Sequence, residues 1–176
     1  MKTAPNSIRK DLGLNIRYID DILNINGKNF LEDAKNIYPI SLPLEKTNSC
    51  NNKCDFLDLP IECSHNQTVT SLYNKTDAFD FTVIRYPVAT SNIHVQIGYN
   101  TFYAQIIRIA RICSTSNHFE NKIRLLCDAF LERGFEKTDL LLCIKKFTNN
   151  YNLLILKFGF SNYQFSNMCK VFLKVS

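Results

Sequence analysis

The sequence predicts an α+β chain in which strands come first and helices follow. Three observations carry that reading. Short β-branched runs ahead of residue 98 flank tight polar turns, as hairpin strands do. From Tyr99 the apolar period becomes helical and stays so to Tyr151. A hydrophobic content of 45% with thirteen Phe is enough to build a core, so disorder is not the expectation. At 176 residues there is room for one large domain, or for a small domain with a helical appendage.

Residues 1–13 read as a helical turn ending near Gly13. Leu14 to Tyr18 and Ile22 to Ile25 are two β-like runs around Asp20-Asp21, which makes a hairpin. Asn26-Gly27 is a turn signal, and Phe30, Leu31, Ala34 and Ile37 then recur at helical spacing until Pro39 closes the helix. Ser41 to Glu45 alternates polar and apolar residues and predicts a strand; Thr47 to Lys53 is a polar loop. Asp55 to Cys63 and Thr68 to Tyr73 predict a second strand pair around Ser64-His65-Asn66-Gln67. Residues 76–97 hold no sustained period and read as extended connecting structure.

The helical part is legible as three stripes: Phe102, Ile106, Ile109 and Cys113; then Phe119, Ile123, Leu126 and Phe130; then Leu140, Ile144, Phe147 and Tyr151. Ser116 or Asn117 is the expected N-cap of the second and Thr138 of the third, with Gly134 as the stop between them. Three such stripes with short connections predict a compact helical subdomain. Residues 156–176 carry apolar pieces without a clear period.

The net charge of +5 and a pI near 8.8 are compatible with a polyanionic partner and do not single one out. No basic-plus-apolar leader and no apolar run of roughly 18 residues is present, so neither secretion nor a membrane span is expected. Seven cysteines form no even framework, which points to reduced thiols and an intracellular setting. Cys50, Cys54, Cys63 and His65 have a loose ligand-like spacing. With no compact second knuckle, they read as core or loop residues and zinc is not expected.

Tyr18-Ile19-Asp20-Asp21 is the stretch with the most chemistry in it. Adjacent carboxylates in an apolar setting are costly unless something positive sits against them, most often a divalent cation held by oxygen donors. The competing reading is a solvated turn. On the first long helix, Thr101, Ala104, Arg108, Arg111 and Thr115 fall off the apolar stripe. Two Arg nearly one turn apart suit adjacent phosphates, and a solvated face or ion pairs to acidic residues would place them equally well. Lys145-Lys146 reads as solvated.

The order of these motifs resembles the C-terminal part of reverse transcriptases from eukaryotic retroelements, nearest to Penelope-like elements. Arg17-Tyr18-Ile19-Asp20-Asp21-Ile22-Leu23 is similar to that family's catalytic palm hairpin. Phe56-Leu57-Asp58-Leu59-Pro60-Ile61 is similar to its F-L-D-L-x-I strand. Thr70-Ser71-Leu72-Tyr73-Asn74-Lys75, with Asp77 and Phe79, is similar to the next strand. Gln105, Arg108, Ala110, Arg111, Cys113 and Ser114 are similar to a Q-x-x-R-x-A-R-x-C-S helix, and Leu131-Glu132-Arg133-Gly134-Phe135 and Lys146-Phe147 to later landmarks. The resemblance spans about residues 8–152. Asn100 and Thr148-Asn149-Asn150 depart from the family's pattern, and Pro60 suggests an edge position or a local disruption in its strand.

The resemblance implies a partial polymerase palm over residues 1–97 and a thumb-like three-helix subdomain over 98–155; residues 156–176 fall outside it as a tail. It implies that Asp20 holds Mg²⁺ with Asp21 in support, and that Tyr18 packs near the primer end or nascent base pair. Phe56, Asp58 and Lys75 would belong to a primer-gripping hairpin, with Lys75 reaching a phosphate, or would simply pack on the palm core. Arg108 and Arg111 would grip an RNA template or the RNA–DNA or DNA duplex. The implied function is part of an RNA-directed DNA polymerase. It is expected not to copy RNA alone, because seventeen residues before Tyr18 leave no room for an earlier metal-binding palm strand and fingers. The alternatives are a non-enzymatic nucleic-acid-binding remnant and a reading frame without function.

Overall fold

Strands precede helices in the computed structural model, which describes residues 14–27, 29–48, 50–64, 67–75, 79–81 and 83–175. The expected helical turn over 1–13 lies outside them. The chain divides into two compact units, Met1–Leu57 and Asp58–Ser176.

In the first unit, β1 (Leu14–Tyr18) pairs antiparallel with β2 (Asp21–Ile25). The register sets Leu14 opposite Ile25, Ile16 opposite Leu23 and Tyr18 opposite Asp21 on one face. Asn15 opposite Asn24 and Arg17 opposite Ile22 take the other, the two-residue alternation that strand geometry imposes. The asparagines bond across the ladder, Asn24 Nδ2 donating to Asn15 Oδ1 at 2.7 Å. Helix α1 (Phe30–Ile37) buries Ala34 and ends before Pro39, as the sequence predicts. Ser41 to Glu45 is not a strand: the segment runs as turn and irregular backbone. Alternation there lacks a paired neighbour, and Pro43 in its middle cannot donate to a ladder. β3 (Lys53–Phe56) closes the unit.

The expected strand from Asp55 to Cys63 is broken at Leu57, whose φ of +56° turns the chain. In the second unit, β4 (Leu59–Ser64) and β5 (Gln67–Thr70) form an antiparallel hairpin with Ile61 opposite Thr70. That ladder begins one residue after Pro60, so the missing N–H costs no bond in it. β5 stops at Thr70, short of the expected Tyr73, because Thr70 turns to a helix end instead. Its N–H donates to Ser114 Oγ at 2.9 Å and its hydroxyl to the Ile112 carbonyl at 2.6 Å.

Five helices follow: α2 (Val95–Ile112), α3 (Ser116–Glu132), α4 (Lys137–Asn150), α5 (Asn152–Leu156) and α6 (Asn162–Phe172). All three predicted stripes face inward. Phe102, Phe119, Phe130 and Phe147 are fully buried, and only Tyr151 stays half-exposed. Burial of each such ring removes roughly 1.5–3 kcal/mol of apolar exposure. The caps differ by a residue or two from expectation. Thr115 caps α3 by accepting from the His118 N–H, and α4 begins at Lys137 after Glu136, ahead of Thr138. Glu136 makes no side-chain cap bond, and its own N–H donates to the Tyr99 hydroxyl at 3.3 Å.

Residues 156–175 belong to the helical core. After Gly159 (φ +80°) restarts the chain, Ser161 and Gln164 form a reciprocal capping box at the start of α6. Phe165, Cys169 and Leu173 are fully buried in the helical core. Phe158 stacks on Phe119 with ring centroids 4.2 Å apart, and Phe165 touches both Phe119 and Phe147 at 5.6 and 5.7 Å. The helical subdomain thus runs from Val95 to Phe172 rather than over 98–155.

Candidate functional site

The acidic doublet sits where the sequence places it, at a hairpin tip. Tyr18 ends β1 and pairs across the ladder with Asp21, leaving Ile19-Asp20 as a two-residue loop. Ile19 has φ +49°, a left-handed conformation that a β-branched side chain rarely takes. Arg17 braces the loop: its Nε donates to the Ile19 carbonyl at 3.0 Å, and its guanidinium lies 5.6 Å from the centre of the Tyr38 ring. Both carboxylates are exposed, as is Tyr18. Two hard oxygen donors of this kind fit Mg²⁺, which keeps several waters and takes one or two carboxylates from a protein. Among the described residues no group of three or more His, Cys, Asp or Glu gathers as a metal cage would require. Cys50 and Cys63 are exposed and Cys54 is half-exposed; His65 lies outside the described residues.

In the second unit the two predicted arginines go to different partners. Arg108 makes an ion pair with Asp58, and the Asp58 carbonyl accepts from the Tyr73 N–H at 2.8 Å. Arg108 is therefore engaged by a carboxylate from the strand region rather than from the next helix. A half-exposed pair of this kind contributes on the order of 0–1 kcal/mol. Arg111 is exposed, with its guanidinium 6.0 Å from the Tyr151 ring centre. Lys75 is exposed beyond β5, while Phe56 is buried at the end of β3 in the first unit. Asp77 lies outside the described residues.

Ser114 carries a role that spacing alone did not disclose. It accepts from the Thr70 N–H and its own N–H donates to the Thr70 carbonyl at 3.0 Å, which ties the β4–β5 hairpin to the end of α2. Lys157, also unremarked in the sequence, caps the same helix end by donating to the Ala110 and Cys113 carbonyls at 3.3 and 2.6 Å. The only sequence signal for either is a polar residue next to a helix stop.

The buried thiols are packing groups rather than nucleophiles. Burial pushes the Cys127 thiol up to about 12 and the Cys169 thiol well above its ordinary value. Burial also raises Cys113 and Cys143, the former against the lowering effect of Lys122 and Lys157 nearby. A thiol held protonated is a poor nucleophile and a poor metal ligand.

Fold and site together define an α+β chain with an exposed acidic hairpin tip and a helical unit of short-linked helices. α2 and α3 are joined by three residues, and α3 and α4 by four that include Gly134 at φ +80°. Such links are the length and composition that helix-turn-helix units use. A family model described as the animal helix-turn-helix domain matches residues 85–145, from the segment before α2 into α4. No curated protein and no solved structure matches the chain. No helix among the described residues is long and apolar enough to cross a membrane.

Proposed function

We propose that this chain is the distal palm and thumb part of a reverse-transcriptase-like polymerase, with the helical unit as its nucleic-acid-binding element. The observation that carries the reading is how the resembling motifs, far apart in sequence, depend on one another. Asp58 of the F-L-D-L-x-I block pairs with Arg108 of the Q-x-x-R-x-A-R-x-C-S block, and Thr70 of the intervening block is bonded to Ser114. The helix-turn-helix likeness over residues 85–145 supports the nucleic-acid part from an independent direction.

On this reading Asp20 and Asp21 contribute oxygen ligands to Mg²⁺, which would supply charge neutralisation of phosphates and acidify a primer hydroxyl. The chain's own part is to hold those carboxylates outward on the strained Ile19 turn, braced by Arg17. The test uses Mn²⁺ as a paramagnetic stand-in. It should broaden the backbone NMR signals of residues 18–22, and the Asp20→Asn/Asp21→Asn double variant should abolish that effect. Broadening spread evenly over all surface carboxylates would overturn the assignment.

A second reading is a nucleic-acid binder without chemistry, since the family match covers residues 85–145, mostly helical, and excludes the acidic tip. Both readings predict salt-sensitive binding to an RNA–DNA hybrid, and absence of binding at about 50 mM salt would remove both. They part on the tip: site-specific Mn²⁺ binding at residues 18–22 belongs to the first alone.

A further inference from the structure

We propose that the α2–α4 face of the helical unit binds single-stranded nucleic acid, with one unstacked base in a groove and backbone phosphates on Lys146 and Arg111. This rests on the nucleic-acid reading above and names the ligand and its site. Two adjacent tyrosines on this face are flanked by a cation at each end. Lys146 Nζ lies 4.9 Å from the centre of the Tyr103 ring, the Tyr103 and Tyr151 rings are 6.4 Å apart, and Arg111 lies 6.0 Å from Tyr151. The rings are themselves held. Phe147 stacks on Tyr151 at 5.7 Å, and Asn150 Nδ2 donates to the Tyr103 hydroxyl at 3.2 Å. Flexible cations resting on fixed rings lose less freedom when a phosphate arrives, which is the usual obstacle for a surface Lys or Arg.

At the Lys146 end the array opens into a groove of about 370 Å³ between α2 and α4, lined by Gln96, Tyr99, Asn100, Tyr103, Leu142 and Lys146 among others. Gln96 Nε2 donates to Asn100 Oδ1 at 3.2 Å, which leaves the Gln96 carbonyl and the Asn100 amide nitrogen outside that bond. One acceptor and one donor on a wall of aromatic rings match the edge and face of a base. Asp139 also lines the groove, so a phosphate is disfavoured there and directed to the Lys146 end. The bases of a duplex are stacked and cannot enter such a groove, whereas single strands present theirs to aromatic platforms and basic tracks.

The experiment titrates the full chain into a fluorescein-labelled single-stranded oligouridylate and, separately, into an RNA–DNA hybrid of equal length, over a range of salt. Lys146→Gln/Arg111→Gln, both exposed positions, should weaken single-strand binding at least tenfold. It should also reduce the slope of log K against log salt by about 1.4, two phosphate contacts at about 0.7 each. Tyr103→Leu should weaken binding with the slope unchanged. Single-strand binding that the double variant leaves intact would overturn this site while sparing the broader reading. A loss confined to the hybrid would overturn the single-strand assignment. If neither nucleic acid binds the wild-type chain, the broader reading falls with it.

Discussion

Gly98 shows how one residue sets the spacing of the helical unit. A Cβ built there would meet Phe135 Cζ and Cε1 at 2.2 and 2.3 Å, inside any permitted contact. The ring cannot swing away freely, because it packs edge-on to Tyr99 at 5.2 Å and against Phe130 at 5.0 Å. Gly98→Ala should therefore lose stability by about 1–3 kcal/mol despite the roughly 1 kcal/mol that alanine gains in a helix. Urea unfolding measures the loss, and Phe135→Leu in the same chain should recover part of it; additive losses would refute the clash. The thiols give a pH prediction of definite sign. Cys127 titrates near 9.0 when exposed and at about 12 in the fold, so its contribution is intact below pH 9 and lost as pH rises toward 12. Unfolding midpoints should fall over that window, and Cys127→Ala should flatten the fall. In the native state at pH 8, alkylation should reach the exposed Cys50 and Cys63 and spare Cys127 and Cys169.

Among the elements, those with local signals were legible and those made by tertiary contacts were not. α2, α3 and α4 could be drawn from their stripes because each buries one face over at least three turns. The β1–β2 hairpin was equally plain, since alternation and a two-residue loop fix its register. α4 starts one residue ahead of Thr138, after Glu136, whose N–H is held by the Tyr99 hydroxyl of another helix, a contact that sequence spacing does not carry. α5 and α6 escaped notice for a different reason: five residues of helix and a glycine restart leave no sustained period, although Ser161-x-x-Gln164 is a visible capping box. The place of Asp20 and Asp21 at a hairpin tip was readable from residue type and spacing alone. The partition of Arg108 to Asp58 and Arg111 to Tyr151 was not, because nearly one turn separates them in sequence while their partners lie some forty to fifty residues away. Lys146 read as solvated for the same reason: its partner ring, Tyr103, comes from another helix.

For the whole molecule, the decisive consequence is where the helical unit ends. If residues 156–176 were a tail, removing them would leave the helices intact. In the fold, that segment supplies Phe158, Phe165, Cys169 and Leu173 to the core, and Phe119 and Phe147 would lose the rings that cover them. Lys157 would no longer cap α2, and the carbonyls of Ala110 and Cys113 would lose its donor at the point where Ser114 holds the β4–β5 hairpin. Several large buried side chains at roughly 1.5–3 kcal/mol each exceed half the 5–15 kcal/mol by which domains are stable. A chain ending at Ile155 should therefore lose cooperative thermal unfolding and become protease-sensitive across α2 to α4, hairpin contacts included. Circular dichroism melting with limited proteolysis reads this directly. Retention of a cooperative transition within a few degrees of the full chain would mean that the chain up to Ile155 is self-sufficient, and that Phe158 and α6 merely rest on it.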